Sequence, residues 1–378
     1  MIKNTISGWL KSSALLFFAC TGLTVSAQED TTEKKFSLSG SVDAYFRTNF
    51  NARNRPEIAP STSFANGTGF SIGMANVIAS YEGEKVGFVA DLVFGPRGEA
   101  AVFNSDGISQ AVNQLYVYWN ASDAVKLTFG NFNTYLGYEV ISPTGNFNYS
   151  TSYMFSFGPF SHTGVKADFT LSDNWSVAAA LMNPTDYTEN NPFDTYIVGG
   201  QVGYSDDSGS AYLNFRYGNE GEPGVVGPTF QVDLTTGWSL SEEFYLGLNT
   251  TYLTTEAQAE NTDAAGFYGA ALYPQYSFSD TFALGLRGEY FAQFNGGLTE
   301  TNDDGIPTEL ATAIDIEGDG SVIALTLTGS VTVGDNLTFK PEIRFDSMSE
   351  DTFPIFADRD GEASDSLGSF LIGAIYSF

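Results

Sequence analysis

The chain is nearly devoid of cysteine and histidine, with one of each among 378 residues. The histidine, His162, leaves a Ser-His-acid site a single candidate base. Basic residues are scarce too: 16 Lys+Arg stand against 45 Asp+Glu. That balance argues against nucleic acid as a partner. Beyond residue 27 no apolar run approaches the ~20 residues of a membrane helix. By that test alone the protein would be soluble. Aromatic residues are not lacking. At 15% of the chain, beside 40 glycines, they exclude the disorder that acid-rich, aromatic-poor chains show.

The amino terminus accounts for the cysteine. "MIKNTISGWLKSSALLFFACTGLTVSAQED" carries Lys3 and Lys11, an apolar core from Ala14 to Val25, and a small-x-small site closing on Ala27. This is the pattern of a cleaved secretory signal peptide over residues 1–27, too short to span a bilayer. A lipoprotein site at Cys20 fits poorly behind Phe17 and Phe18. Cleavage after Ala27 removes the cysteine and two lysines. The mature chain then holds 14 Lys+Arg against 45 Asp+Glu, a formal charge of −31. It has no thiol chemistry, which an oxidising compartment tolerates.

Periodicity changes the reading of solubility. In "FSLSGSVDAYFRTNF", Phe36, Leu38, Gly40, Val42, Ala44, Phe46 and Phe50 share one face, while Asp43, Tyr45, Arg47 and Asn49 share the other. This is a strand with one apolar and one wet face. "KVGFVADLVF" and "LTFKPEIRFDS" repeat it. Short polar turns with Ser-Asp or Gly-Asp chemistry fall at Glu82–Lys85, Asn120–Asp123, Ser172–Asn174, Ser205–Gly209, Ser241–Glu243, Ser279–Thr281 and Gly334–Asn336. Between them lie long segments at 51–69, 95–110, 133–160, 183–194, 218–228, 255–266, 295–320 and 347–366. Strict alternation of seven short and eight long connections predicts sixteen antiparallel strands. Even strand number, short periplasmic turns and long outer loops are the plan of a transmembrane β-barrel. The expected organisation is a periplasmic segment at 28–35 and one barrel domain at 36–378. Trp119, Trp175 and Trp238 each lie within three residues of a short turn, as rings at a membrane–water boundary do.

The carboxyl terminus, "SFLIGAIYSF", closes the design. Phe370, Ile372, Ala374, Tyr376 and Phe378 are expected to face lipid, with Ser369, Gly373 and Ser377 inward. An unpaired strand edge in lipid costs several kcal/mol per backbone group, so the last strand must pair with the first. The final Phe with alternating apolar residues behind it resembles the terminal signal of outer-membrane proteins. That likeness implies recognition by the barrel-insertion machinery.

The central stretch, Leu127 to Asn183, carries a Gly-Asn-Phe strand end, then "GYE", "NFNYS", "GPFSHTG" and an "LSDN" turn. In these it resembles the OmpL-like β-barrel porin family. The resemblance implies a porin of the outer membrane of Gram-negative, Bacteroidota-like bacteria, with no catalytic residues and no cofactor to carry over. It names no solute beyond small hydrophilic molecules and ions. A homo-oligomer, a trimer by analogy with general porins, belongs to the same expectation.

Sixteen strands leave an aqueous lumen. Alternation turns fourteen charges into it: Asp43, Arg47, Asp91, Lys126, Lys166, Asp168, Arg216, Asp233, Arg287, Glu289, Lys340, Glu342, Arg344 and Asp346. Seven of each sign either set a transverse field or brace the wall as pairs such as Lys166/Asp168 and Arg287/Glu289. The segment 133–160 is the longest and is aromatic, with Tyr135, Tyr138, Phe147, Tyr149, Tyr153, Phe155 and Phe157. It is expected either to fold inward and narrow the channel, offering rings for sugars, or to cap the strand ends. His162 reads as structural, since Ser161 and Thr163 point to the opposite face. The eight long segments hold 25 acids and four bases, Arg53, Arg55, Arg97 and Arg359. That charge predicts mild cation selectivity and weak binding of divalent cations. "DIEGDGS", Asp315–Ser321, is loosely like a calcium loop but lacks the distal Glu of an EF-hand. A plugged barrel of 22 strands is not expected. The alternative function is a structural or adhesive barrel with its pore blocked.

Overall fold

Period-two alternation lays the chain out as sixteen strands. They are β1 (Lys35–Asn49), β2 (Gly69–Glu82), β3 (Val86–Phe94), β4 (Val112–Ser122), β5 (Val125–Asn133), β6 (Ser161–Thr170), β7 (Trp175–Met182), β8 (Ile197–Ser205), β9 (Gly209–Asn219), β10 (Pro228–Ser239), β11 (Phe244–Thr255), β12 (Ala265–Ser279), β13 (Phe282–Phe294), β14 (Ser321–Val333), β15 (Leu337–Met348) and β16 (Ser366–Ser377). Each pairs antiparallel with its sequence neighbour, and β1 pairs with β16 to close the barrel. This is a computed structural model. It describes residues 35–378 apart from 57, 61–62, 103, 257–262, 296–319, 350–358, 361 and 363. The leader expected at 1–27 and most of 28–35 lie outside the described residues. So does Asp315–Ser321 except for its last two residues.

Closure joins the last strand to the first, as expected. Ser41 to Asn49 pair with Ser377 to Ser369. Beyond the paired strand ends, the Phe378 amide donates to the Gly40 carbonyl at 3.0 Å and the Gly40 amide to the Phe378 carbonyl at 3.1 Å. No backbone edge is left at the seam, as lipid requires. Tyr376 and Phe378 face outward and are exposed, whereas Ser369 and Gly373 are buried inside. The inward face of β16 is not uniformly polar. Leu371 and Ile375 also point in and pack with Tyr45, Ala65 and Tyr149.

The outer wall carries the apolar set, including Phe36, Leu38, Phe129, Val165, Leu181, Ile323 and Ile343, all exposed. In a membrane barrel this is the lipid-facing band, not a core. Near the short turns it is bordered by rings. Trp175 and Tyr204 lie 5.1 Å apart edge-on, Tyr204 and Trp238 6.3 Å apart, and Phe278 stacks on Phe282. At the opposite rim, Phe46 meets Phe70 and Tyr252 meets Phe294. No helix among the described residues is long and apolar enough to cross a membrane. The crossing is made by strands.

Candidate functional site

The connection between β5 and β6 folds into the barrel. A segment inside a barrel must find partners for its backbone groups, because few waters can serve them there. The wall provides them by charge type. Inward acids accept amides: Glu342 from Tyr149 at 2.8 Å, Glu289 from Tyr153 at 3.0 Å and Met154 at 2.8 Å, Asp233 from Gly137 at 2.9 Å. Inward bases donate to carbonyls: Arg287 to Ser150 at 2.6 Å and Thr151 at 3.2 Å, Arg344 to Thr151 at 2.8 Å, Lys340 to Pro143 at 2.7 Å and to Asn146. Asn148 donates to Thr328 at 2.7 Å. Charge-assisted bonds of this kind are about twice as strong as neutral ones.

Within the loop, Glu139 accepts from Arg287 at 2.6 Å and from the Ser152 amide at 2.7 Å. Ser152 caps a short helix, α1 (Tyr153–Phe157), by accepting from the Phe155 amide at 3.1 Å. The Tyr149 hydroxyl donates to Asp43 at 2.7 Å. Burial, and then the Asp43 charge, push that phenol above the usual tyrosine range, so it stays a donor. Asp43 also accepts the Met74 amide at 2.8 Å, where β1 and β2 slip register. A second short helix, Pro96–Ala101, brings Arg97 inward. Arg97 donates to the carbonyls of Ile141 at 2.6 Å and Tyr149 at 2.9 Å.

Shape matches charge. A Cβ added to any of five inward glycines would overlap a loop side chain: Gly199 with Tyr135, Gly247 with Tyr138, Gly269 with Met154, Gly285 with Phe147 and Gly373 with Tyr149. Each missing side chain is a socket in the wall. Tyr138 also stacks on Tyr273 with centroids 4.1 Å apart. Phe157 meets Phe267 and Phe291.

The fourteen charges named from the sequence differ in burial. Eleven are buried: Asp43, Arg47, Asp91, Arg216, Asp233, Arg287, Glu289, Lys340, Glu342, Arg344 and Asp346. Three, Lys126, Lys166 and Asp168, keep partial exposure. Lys166 pairs with Asp168 at 2.8 Å as expected. Arg287 and Glu289 do not pair with each other. Each binds the loop instead. Arg344 pairs with Asp346 at 2.8 Å and Arg216 with Glu220. The expectation that the loop's rings offer stacking surface holds in part at most. Tyr149, Tyr153, Phe155 and Phe157 are buried in packing, while Tyr135, Tyr138 and Phe147 keep partial exposure.

A cavity of about 10 Å³, the size of one water, lies among Arg47, Ser63, Ser150, Glu342, Arg344 and Ser369. His162 is buried with Nε2 2.9 Å from the Thr134 hydroxyl, beside the rings of Phe132 and Tyr135. Among the described residues no group of three or more His, Cys, Asp or Glu is placed to hold a metal ion. Sequence reasoning missed the glycine sockets, Arg97 as a lumen residue, and Glu139. The sequence signal for the sockets was glycine at inward positions of the alternation.

A closed sixteen-stranded antiparallel barrel with aromatic rims, an apolar outer band and a charged interior holding a folded loop defines an outer-membrane porin-type barrel. The family model described as "Putative beta-barrel porin-2, OmpL-like" matches residues 35–378. The chain therefore belongs to the OmpL-like β-barrel porin family, and its place is the Gram-negative outer membrane. No curated protein sequence matches it. Among solved structures it is similar to the anion-selective porin from Comamonas acidovorans, at 10% identity and TM-score 0.59 over 92% of this chain and 100% of that one. It is also similar to the outer membrane channel DcaP of Acinetobacter baumannii, at 13% and 0.58 over 94% and 100%. The trimer form of Vibrio cholerae OmpT aligns at 13% and 0.55 over 91% and 99%. At these identities the likeness is one of fold.

Proposed function

We propose that the protein is a diffusion channel for small hydrophilic solutes and ions, not an enzyme, narrowed by residues 133–160 and mildly cation-selective in dilute salt. The observation that carries this reading is the loop held inside a sixteen-stranded barrel by wall charges on β10, β13 and β15. A barrel of this strand number without an inserted segment encloses a wide aqueous lumen. An anchored loop turns that lumen into a size filter. Assembly into a homo-oligomer, a trimer by analogy with general porins, belongs to the same reading.

A second reading draws on the same network. Arg287, Thr326 and Thr328 have no solvent exposure, which suits a barrel whose pore is blocked and whose loops bind partners. Liposome swelling separates the two. Vesicles loaded with purified protein should swell in small sugars and progressively less as sugar size grows. A blocked barrel passes none.

A further inference from the structure

We propose that the inner wall between the inserted loop and the short turns binds neutral saccharides, with Tyr212 and Tyr245 as stacking platforms. This rests on the channel reading and names a solute class for it. Contacts with the loop fix which face looks inward: Gly199, Asp233, Gly247, Gly285 and Lys340 all meet it. Alternate residues along each strand share that face. From these positions towards the short turns, β8 to β15 place no charged residue inward. They place hydroxyls and amides there instead, among them Ser210, Ser239, Gln275, Ser330 and Thr338, all partly exposed. The partly exposed charges Lys126, Lys166 and Asp168 belong to β5 and β6.

Two rings interrupt this wall. Tyr212 stands directly opposite Gly203, and a Cβ added to Gly203 would come within 2.8 Å of two of its ring carbons. A Cβ added to Gly237 would likewise overlap the hydroxyl end of Tyr245. Each ring therefore leans on a glycine of the neighbouring strand instead of standing out into the lumen. Both side chains keep partial exposure. The Tyr138 hydroxyl donates to that of Tyr245 at 3.0 Å, which ties one platform to the inserted loop. The register staggers the two: Tyr212 lies opposite Thr235, and Tyr245 opposite Ser239, nearer the short turn. A pyranose has apolar C–H faces and a rim of hydroxyls. An aromatic ring lying along a wall offers those faces a flat apolar surface. Hydroxyls and amides both donate and accept, so they serve every group on the rim. A neutral solute binds there without the loss of hydration that an ion would suffer, and an ionised one finds no partner for its charge.

The test uses the full-length protein folded in detergent or a planar bilayer. D-glucose is the probe. Sorbitol, its open-chain reduced form, lacks the ring, and glucuronate adds a charge. Saturation-transfer NMR reads binding, and the KCl current reads the channel. Glucose should bind with its C–H protons in closest contact, and sorbitol and glucuronate should each bind at least about threefold more weakly. Tyr212→Leu/Tyr245→Leu removes both rings and should weaken glucose by about tenfold. Tyr212→Phe/Tyr245→Phe keeps them and should stay within about threefold of the parent. Should the leucine double variant not fold, Tyr212→Leu alone is expected to weaken glucose about threefold. Unchanged glucose affinity in a folded leucine variant, or sorbitol or glucuronate binding as tightly as glucose, overturns the proposal. Glucose binding with no KCl current would defeat the channel reading and leave the site standing. Current without glucose binding would do the reverse.

Discussion

At the scale of single residues, the interior is a set of buried charges whose partners lie far away in sequence. Arg287 and Glu139 are wholly or almost wholly buried and 2.6 Å apart. Removing one partner of a buried pair strands the other, at a cost of about 3–5 kcal/mol. Arg287→Met should therefore lower resistance to denaturant by that order, and adding Glu139→Gln should recover much of it. A double-variant loss equal to the sum of the Arg287→Met and Glu139→Gln losses would show that the pair is not coupled. Asp186 gives a pH-dependent case outside the strands. It accepts the amides of Phe160 at 2.8 Å and Ser161 at 2.7 Å, where the inward loop ends. Burial pushes its carboxyl up to about 6, against the pull of those two amides. Because the folded value lies above the ~3.9 of an unfolded Asp, the native state binds the extra proton. The cost of charging Asp186 is absent below about 4 and complete above about 6. Asp186→Asn keeps an oxygen for the amides and should stabilise the fold at pH 7.5, an advantage that vanishes by pH 4. Thermal unfolding across that window checks it, and a pH-independent difference would refute it.

At the scale of elements, the loop and the wall are two halves of one device. Residues 149–154 alternate amides given to carboxylates with carbonyls filled by guanidinium groups. Deleting residues 140–155 should raise single-channel conductance, because it removes the inserted mass and wets the charges behind it. Unchanged conductance would sink the constriction. A gentler probe is Gly373→Val. Its side chain overlaps the Tyr149 ring, and overpacking of this kind costs about 1–3 kcal/mol. Displacement of the loop should raise conductance and lower thermal stability together. Gly288→Val, on the outward face of β13 between inward Arg287 and Glu289, is the control, since its added Cβ meets only Leu325 at 3.6 Å.

At the scale of the whole molecule, charge is divided by place. The long segments carry 25 acids against four bases, and the strand ends they join lie at one mouth. Of those bases Arg97 points into the barrel and is buried, so it screens the mouth little. Fixed negative charge there concentrates cations and repels anions, over ~10 Å at 0.1 M salt and ~3 Å at 1 M. Reversal potentials across a KCl gradient should show mild cation preference in dilute salt and little near 1 M. Calcium should reduce it further. Anion preference at low salt would defeat the mouth-charge account and point to Lys126 and Lys166 as the controlling charges.

The sequence by itself determined the barrel. Period-two alternation and turn chemistry are local, so they placed the strand ends within a few residues; the turn expected at Asn120–Asp123 lies at 123–124. The same alternation sent the last strand to the first. Tertiary structure alone decided what those charges meet. Glu342 reaches the amide of Tyr149 across 193 residues, and Arg287 reaches Glu139 across 148. Leu371 and Ile375, on the inward face of the last strand, are covered by Tyr45 and Tyr149. Periodicity fixes the face on which a side chain lies, because each strand's pleat is set by its own backbone. Which groups face one another across the lumen depends on barrel closure and on the path of the inserted loop, and no local pattern encodes either.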